Sequence, residues 1–302
     1  MKTIVVLSGK GGVGKSSIIA SLALILKENS KIVVADCDVD GPNLALVLGI
    51  KKFNETKGIE AIEKAVLVEK KCNSCKKCLD NCVFSAISWN NEKNKPLFDN
   101  MRCEGCGTCE IVCPENAIFL KKVENAKVRI AEKPFPIFSG QLKVGESGSG
   151  KVVFNIKQMA GKKAKEIGAD YLLVDSAAGV GCPVIASVSG MDFAVIITEP
   201  SPSAFNDFKR ATTIVKHFNI PFGVIVNKWD LNKDFTKKME KYFQENDIQV
   251  LEKIPYDKKF VDALVNLIPI VEYDKKYRKV FEEIIIQINK EVKNESDKIS
   301  QK

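Results

Sequence analysis

The stretch Ser8-Gly9-Lys10-Gly11-Gly12-Val13-Gly14-Lys15-Ser16-Ser17 limits what this chain can fold into more than any other. It follows an apolar, β-branched run, Thr3 to Leu7, and leads into Ile18 to Leu26, whose apolar residues suit a packed helix. Strand, glycine loop and helix in that order make the G-x4-G-K-S pattern a P-loop. Its glycines let successive backbone N–H groups turn inward as an anion nest, and the helix start adds its positive dipole end. Gly9, Gly11, Gly12, Val13, Gly14 and Ser17 therefore read as cradle positions for the phosphates of a nucleotide. Lys15 is placed to reach the β- and γ-phosphates, and Ser16 to ligate Mg2+.

The predicted class is α/β, a doubly wound and mainly parallel sheet. Lys31 to Ala35 reads as a second buried strand, ending in Asp36-Cys37-Asp38-Val39-Asp40. Carboxylates at the carboxyl end of a parallel strand face the ligand crevice, so Asp38 and Asp40 become candidates for water or magnesium contact. Tyr171 to Val174 is a further strand that delivers Asp175 beside the magnesium ion. Gly179 and Gly181 then give the backbone freedom to respond to a γ-phosphate. Phe193 to Thr198, Pro221 to Val226 and Ile248 to Ile254 supply more strands. Asn227-Lys228-Trp229-Asp230 fits two base readings, since N-K-x-D reads guanine in GTPases. The segment Phe135 to Lys151, rich in Gly and Ser, reads as a linker into a helix from about Val153 to Ile167. A last helix, about Lys275 to Val292, carries Val280, Phe281, Ile284, Ile285 and Ile288 on one face, with a polar tail over 293–302.

Eight of the ten cysteines fall between Cys72 and Cys113, in two identically spaced sets. Cys72, Cys75, Cys78 and Cys82 form the first, and Cys103, Cys106, Cys109 and Cys113 the second, offset by 31 residues. Zinc sites favour two separated ligand pairs, and disulfides need an oxidising compartment, so neither suits this repeat. The C-x2-C-x2-C-x3-C spacing resembles that of bacterial two-cluster ferredoxins, with Val83 standing where the first set would usually carry proline. The resemblance implies two 4Fe-4S clusters with crossed ligands. One would use Cys72, Cys75, Cys78 and Cys113, the other Cys103, Cys106, Cys109 and Cys82.

At 302 residues and 45% hydrophobic composition, the chain can build one large domain and a small one. The expected division is 1–58 and 133–302 for the P-loop domain and 59–132 for the inserted ferredoxin-like α+β unit. No apolar span of roughly eighteen residues occurs and the N-terminus already reads as strand and P-loop, so a cytoplasmic protein without a membrane partner is expected. The net charge of +8 sits on scattered lysines with no arginine-rich or aromatic-interleaved stripe, which argues against nucleic acid.

The spelling K-G-G-x-G-K-S, with Lys10 as a second lysine inside the loop, resembles the deviant Walker A motif of the group containing Mrp, MinD and the nitrogenase iron protein. That resemblance implies ATP as the nucleotide and a homodimer in which Lys10 acts on the partner's phosphates. It also implies that Asp38 orients the attacking water, that Asn227 contacts adenine, and that Pro255 and Asp257 lie in a loop over the base. Cys182 stands seven residues after Asp175, where the nitrogenase iron protein places a ligand for a cluster bridging two subunits. The implied activity is ATP hydrolysis by an iron-sulphur protein. A nucleotide-gated dimer would then handle iron-sulphur cluster or metallocofactor assembly, or gate electron transfer to an acceptor or redox partner. The alternative is a MinD-like spatial or redox-sensing regulator.

Overall fold

A computed structural model describes the backbone of residues 1–300 and the side chains of residues 1–292. The polar tail read at 293–302 lies outside the residues described at side-chain level. The chain begins with β1 (Lys2–Ser8), α1 (Lys15–Leu26), β2 (Ile32–Cys37), α2 (Leu44–Val47) and β3 (Glu55–Ile59). The cysteine-bearing stretch follows, with β4 (Ile62–Leu67), α3 (Lys77–Asp80), β5 (Ile87–Asn90), β6 (Lys95–Phe98), α4 (Thr108–Ile111) and β7 (Ile118–Val123). Next come β8 (Ala126–Ala131), β9 (Ile137–Leu142), α5 (Ser149–Glu166), β10 (Tyr171–Ala178), α6 (Cys182–Val188) and β11 (Phe193–Thr198). The remainder is α7 (Pro202–His217), β12 (Phe222–Asn227), α8 (Lys233–Glu245), β13 (Gln249–Ile254), α9 (Lys259–Val265), α10 (Ile270–Tyr273) and α11 (Lys276–Ser300).

Nine strands form one sheet in the order β13-β12-β11-β1-β10-β2-β9-β8-β3. Neighbours from β13 to β9 are parallel, whereas β8 is antiparallel to both β9 and β3. Every residue of β2 and of β11 is buried. Strands apolar on both faces need helices on both sides. One layer sets α1, α2, α9, α10 and α11 on the face carrying Ile4, Val34, Leu173 and Val195. The other sets α5 to α8 on the face carrying Val5, Val33, Leu172 and Ala194. Phe281, Ile284 and Ile288 of α11 lie in the first layer, so the apolar face of that helix docks on the body as a packed element. Among the described residues no helix is long and apolar enough to cross a membrane.

Two segments differ from their sequence reading. Phe135 to Lys151 is more than a linker: it contains β9, which pairs with β2 through Val34–Ile137 and Asp36–Ser139. Gly140 there is a close-approach glycine, since a Cβ would collide with Ile156 of α5 and touch Val39. The sheet also resumes earlier than residue 133, because β8 is its eighth strand and pairs with β3 from Glu55–Ile130 to Ile59–Ala126. The stretch between Ile59 and Ala126 therefore leaves and re-enters the sheet at adjacent points on an antiparallel pair. Within it β4 pairs with β7 and β5 with β6, around a small core that includes Ala65, Cys78, Ala86, Ile87, Cys103 and Ile118.

Candidate functional site

Parallel pairing sets Val6 of β1 beside Asp175 of β10, and Asp175 beside Asp36 of β2. Two fully buried carboxylates thus stand side by side at the carboxyl ends of the strands, next to the loop that follows β1. Lys15 opens α1 and turns back into this corner, where its Nζ lies 2.5 Å from Asp175 Oδ1 and 3.8 Å from Asp38 Oδ2. Burial works to lower the Lys15 pKa, but Asp175, Asp38 and Asp36 together raise it above the ordinary lysine value. Asp36 goes the other way from most carboxyls: burial, and then the charge of Asp175, push it up to about 8. Its oxygens accept from the N–H groups of Asp38 and Leu44 and from the Ser139 hydroxyl.

Ser16 Oγ donates to Asp175 Oδ2 at 3.3 Å, so hydroxyl and carboxylate share one spot beside the phosphate loop. Asp38 and Asp175 against one ammonium, with Asp36 behind them keeping its proton, suit a divalent cation. Among the described residues no three His, Cys, Asp or Glu side chains close around a single point. Mg2+ does not require that, because it is commonly held by one or two protein oxygens together with phosphates and water. Ser16 and Asp175 are the residues that would hold it.

The cleft above this corner has a volume of about 240 Å³ and is lined by Gly11, Gly12, Gly14, Lys15, Ser16, Ser17, Asp38, Asn43, Val47, Ala178 and Leu264 among others. Gly12 and Gly14 have φ of 80° and 94°, which glycine adopts without a steric penalty. Gly9 lies outside the cleft lining, where a Cβ would collide with the backbone of Asp207 on α7. Val13 is 1% exposed and anchors the loop from below.

Lys10 points away from this cleft in the single chain, to Glu199 Oε1 at 3.7 Å. Lys228 joins the same carboxylate at 2.9 Å and donates to the Gly12 carbonyl. Asn227, read as a base contact, here braces the loop: its Nδ2 donates to the Val13 carbonyl at 2.8 Å. Replacing Asn227 by Ala would leave that carbonyl without its partner. We expect a stability loss of ~1–3 kcal/mol, read as a lower urea midpoint at unchanged slope.

The other expected base residues separate. Pro255 is exposed. Asp257 is clamped by Lys276, by the Lys259 N–H and by the Tyr277 hydroxyl, which hold its carboxyl well below the usual carboxylate range. It ties α9 to α11, so its carboxylate is already committed within the chain. Asp230 accepts from the Tyr256 N–H at 2.6 Å. Asp40 is exposed and outside the cleft lining, unlike Asp38. The sequence pattern gives no role to Glu199, Asn43, Val47 or Leu264, and none of their own to Asp36 and Lys228. Asp36 and Glu199 carried a usable signal, since both are acids at the carboxyl end of an apolar strand.

In the cysteine-bearing stretch, all ten cysteines of the chain being free thiols, two pockets lie side by side in the fold. One is lined by Cys72, Cys75, Cys78 and Cys113. The other is lined by Cys82, Cys103, Cys106 and Cys109. Each set of three thus gains its fourth cysteine from the other repeat. The Ala86 N–H donates to Cys82 Sγ and the Ala117 N–H to Cys113 Sγ, both at 3.3 Å, so the two repeats hold their fourth cysteine in the same way. The cysteines are not close enough to share one metal ion. In a cube each thiolate takes a different iron, so its four ligands stand farther apart than around zinc. Cys182 is exposed at the start of α6, where a Cβ on Gly150 of α5 would press against it.

Residues 4–270 match the CobQ/CobB/MinD/ParA nucleotide binding domain family. An uncharacterized protein of Methanocaldococcus jannaschii is 37% identical over 230 residues, 76% of this chain and 79% of its own length. An iron-sulfur cluster carrier protein of Pyrococcus horikoshii is 27% identical over 315 residues, 98% of this chain and 89% of its own. Among solved structures, the septum site-determining protein MinD of Pyrococcus horikoshii, complexed with Mg-ADP, superposes with a TM-score of 0.57 at 20% identity, covering 94% of this chain and 93% of that one.

Proposed function

Because this chain belongs to the CobQ/CobB/MinD/ParA nucleotide-binding family and is a P-loop ATPase, we propose that it is an ATP-driven iron-sulphur protein carrying two 4Fe-4S clusters. The observation that carries the reading is the pair of pockets, each lined by a crossed set of four cysteines. The likeness to iron-sulfur cluster carrier proteins over nearly the whole chain supports it. Clusters held there would supply one-electron chemistry, or would themselves be the cargo passed to an acceptor protein.

In this reading Lys15 and the loop N–H groups hold the phosphates, while Ser16 and Asp175 hold Mg2+. Asp38, half-buried and facing the cleft, positions the attacking water. Lys10 leaves Glu199 when two copies close face to face and stabilises charge on the partner's phosphates. Cys182, exposed beside α5, would then approach its twin across the dimer axis and take part in cluster transfer. The second lysine of the phosphate loop, Lys10, belongs to the ATP-using spelling of the motif and is the more specific feature beside Asn227-Lys228-Trp229-Asp230, so ATP is taken as the substrate.

The test is anaerobic purification with iron and sulphide counts, followed by gel filtration with and without nucleotide. About eight irons and eight sulphides per chain are expected for two cubes, with a shift to dimer in ATP. Hydrolysis should favour ATP over GTP at equal concentration. A colourless protein, or equal rates with both nucleotides, would remove the corresponding half of the reading.

A further inference from the structure

We propose that the face around Cys72 and Cys75 docks an acidic surface of a partner protein. The proposal rests on the reading that this stretch exchanges electrons or clusters with another protein, and it concerns where that protein sits. Lys70, Lys71, Lys76 and Lys77 lie within eight residues on this face, and all four are exposed. None of the four is ion-paired with a carboxylate among the described residues, and what sets them apart from the chain's other unpaired lysines is that they crowd one cysteine set. An unpaired cluster of cations raises a positive potential that steers an anionic partner.

The internal repeat supplies its own control. The positions 31 residues later are Met101, Arg102, Gly107 and Thr108, so the second copy keeps the cysteines and only one cation. Holding a cluster therefore does not call for the lysines. Lys76 makes the point most sharply. It precedes α3 at φ 61°, the left-handed conformation that its counterpart Gly107 adopts at φ 80° before α4. A residue with a Cβ is disfavoured there, yet the first copy carries lysine. Its Nζ lies 5.1 Å above the Trp89 ring, and both residues line the Cys72 pocket. Glu104 lines the other pocket instead. The two cysteine sets thus present opposite charge at their rims. A nucleic acid is the less fitting occupant, because the patch has no arginine and its one aromatic, Trp89, is half-buried under Lys76.

Fluorescein-labelled poly-L-glutamate is the probe, read by anisotropy on the full-length, anaerobically purified protein, with duplex DNA as the second arm. Changing Lys70, Lys71, Lys76 and Lys77 together to Glu should weaken poly-L-glutamate binding about tenfold or more, and flatten its salt dependence. Changing the exposed Lys216, Lys237, Lys238 and Lys241 to Glu should weaken it less than about twofold. Lys76→Gly copies the second repeat and relieves the backbone, so a severalfold weaker affinity with undiminished thermal stability is expected. Equal losses in both fourfold variants, or tighter binding to DNA than to poly-L-glutamate at the same salt, would overturn the proposal. Iron counts separate it from the cluster reading. Iron present with the patch variant unaffected sinks the docking face alone, and iron absent with the patch still selective sinks the cluster reading alone.

Discussion

Lys15→Met should lower ATP turnover by a factor of about 10³ while also destabilising the fold. The first effect follows from position, since Lys15 opens α1 at the floor of the phosphate cleft and no other cation shares that corner among the described residues. The second follows from what the lysine neutralises. Its Nζ is the buried counter-ion of Asp175 at 2.5 Å, and the fully buried Asp36 is paired with Asp175 in the sheet register. Removing one partner of a buried pair leaves an uncompensated charge and costs about 3–5 kcal/mol. The loss should carry a pH signature. A carboxyl whose folded pKa is raised binds a proton on folding, so stability falls as pH rises from the ordinary carboxylate range through the folded value. Asp36 already sits at about 8 with Lys15 present. Without Lys15 that window should steepen, so urea midpoints at pH 5 and pH 8 should differ more in Lys15→Met than in the unaltered protein. Equal midpoint differences would show that Lys15 contributes to phosphate binding alone.

The parts of this site legible in the sequence are those written in consecutive residues. The P-loop is read from one strand, one loop and one helix, and the cysteine sets from their spacing. What escaped depends on partners far along the chain. β9 resembles a linker because Ser139 and Gly140 are small and polar, and their burial is set by Ile156 of α5 and by Asp36. β3 escaped because an edge strand facing water carries residues such as Glu55, Thr56 and Lys57, which look like loop. β8, the next strand in, alternates buried Ala126, Val128 and Ile130 with Lys127 and Arg129 directly after the cysteine-bearing stretch, which hides its place in the large sheet. Asp36 lies two residues before Asp38 in an acidic run, and only the β2–β10 register shows that it stands against Asp175. Asp257 was assigned to the base from local likeness, and the helix that claims its carboxylate begins nearly twenty residues later, at Lys276. Lys64 shows the same limit. It is 2% exposed, pairs with Glu146 at 2.8 Å and donates to the Asn100 carbonyl, yet nothing in its neighbourhood distinguishes it from the chain's many surface lysines.

With clusters in the two crossed cysteine sets, as proposed, removing the iron should unfold the stretch between Ile62 and Val123 while the nine-stranded sheet stays intact. The buried core there is slight: Ala65, Cys78, Ala86, Ile87, Cys103 and Ile118, two of them cysteines. A unit of that size without disulfides does not bury enough apolar surface to offset its chain entropy, and a bound metal then supplies the difference. Structural metal sites contribute on the order of 10 kcal/mol, comparable with the whole stability of a small domain. The sheet has no such dependence, since two large apolar layers cover it. Chelation under reducing conditions should therefore confine protease cuts to residues 62–123 and leave ATP binding in place. The boundary should be sharp, because contacts at the junction are tight. Asn125 accepts from the Ala61 N–H and donates to the Ser147 carbonyl, Gly148 leaves no room for a Cβ beside Ile62, and Lys64 meets Glu146. These contacts reach the loop before α5, whose Gly150 packs on Cys182, so cluster loss should also blunt any nucleotide-dependent change in Cys182 labelling. An iron-free protein that resists protease across 62–123 would show that the stretch folds on its own small core and that the metal has no structural part in it.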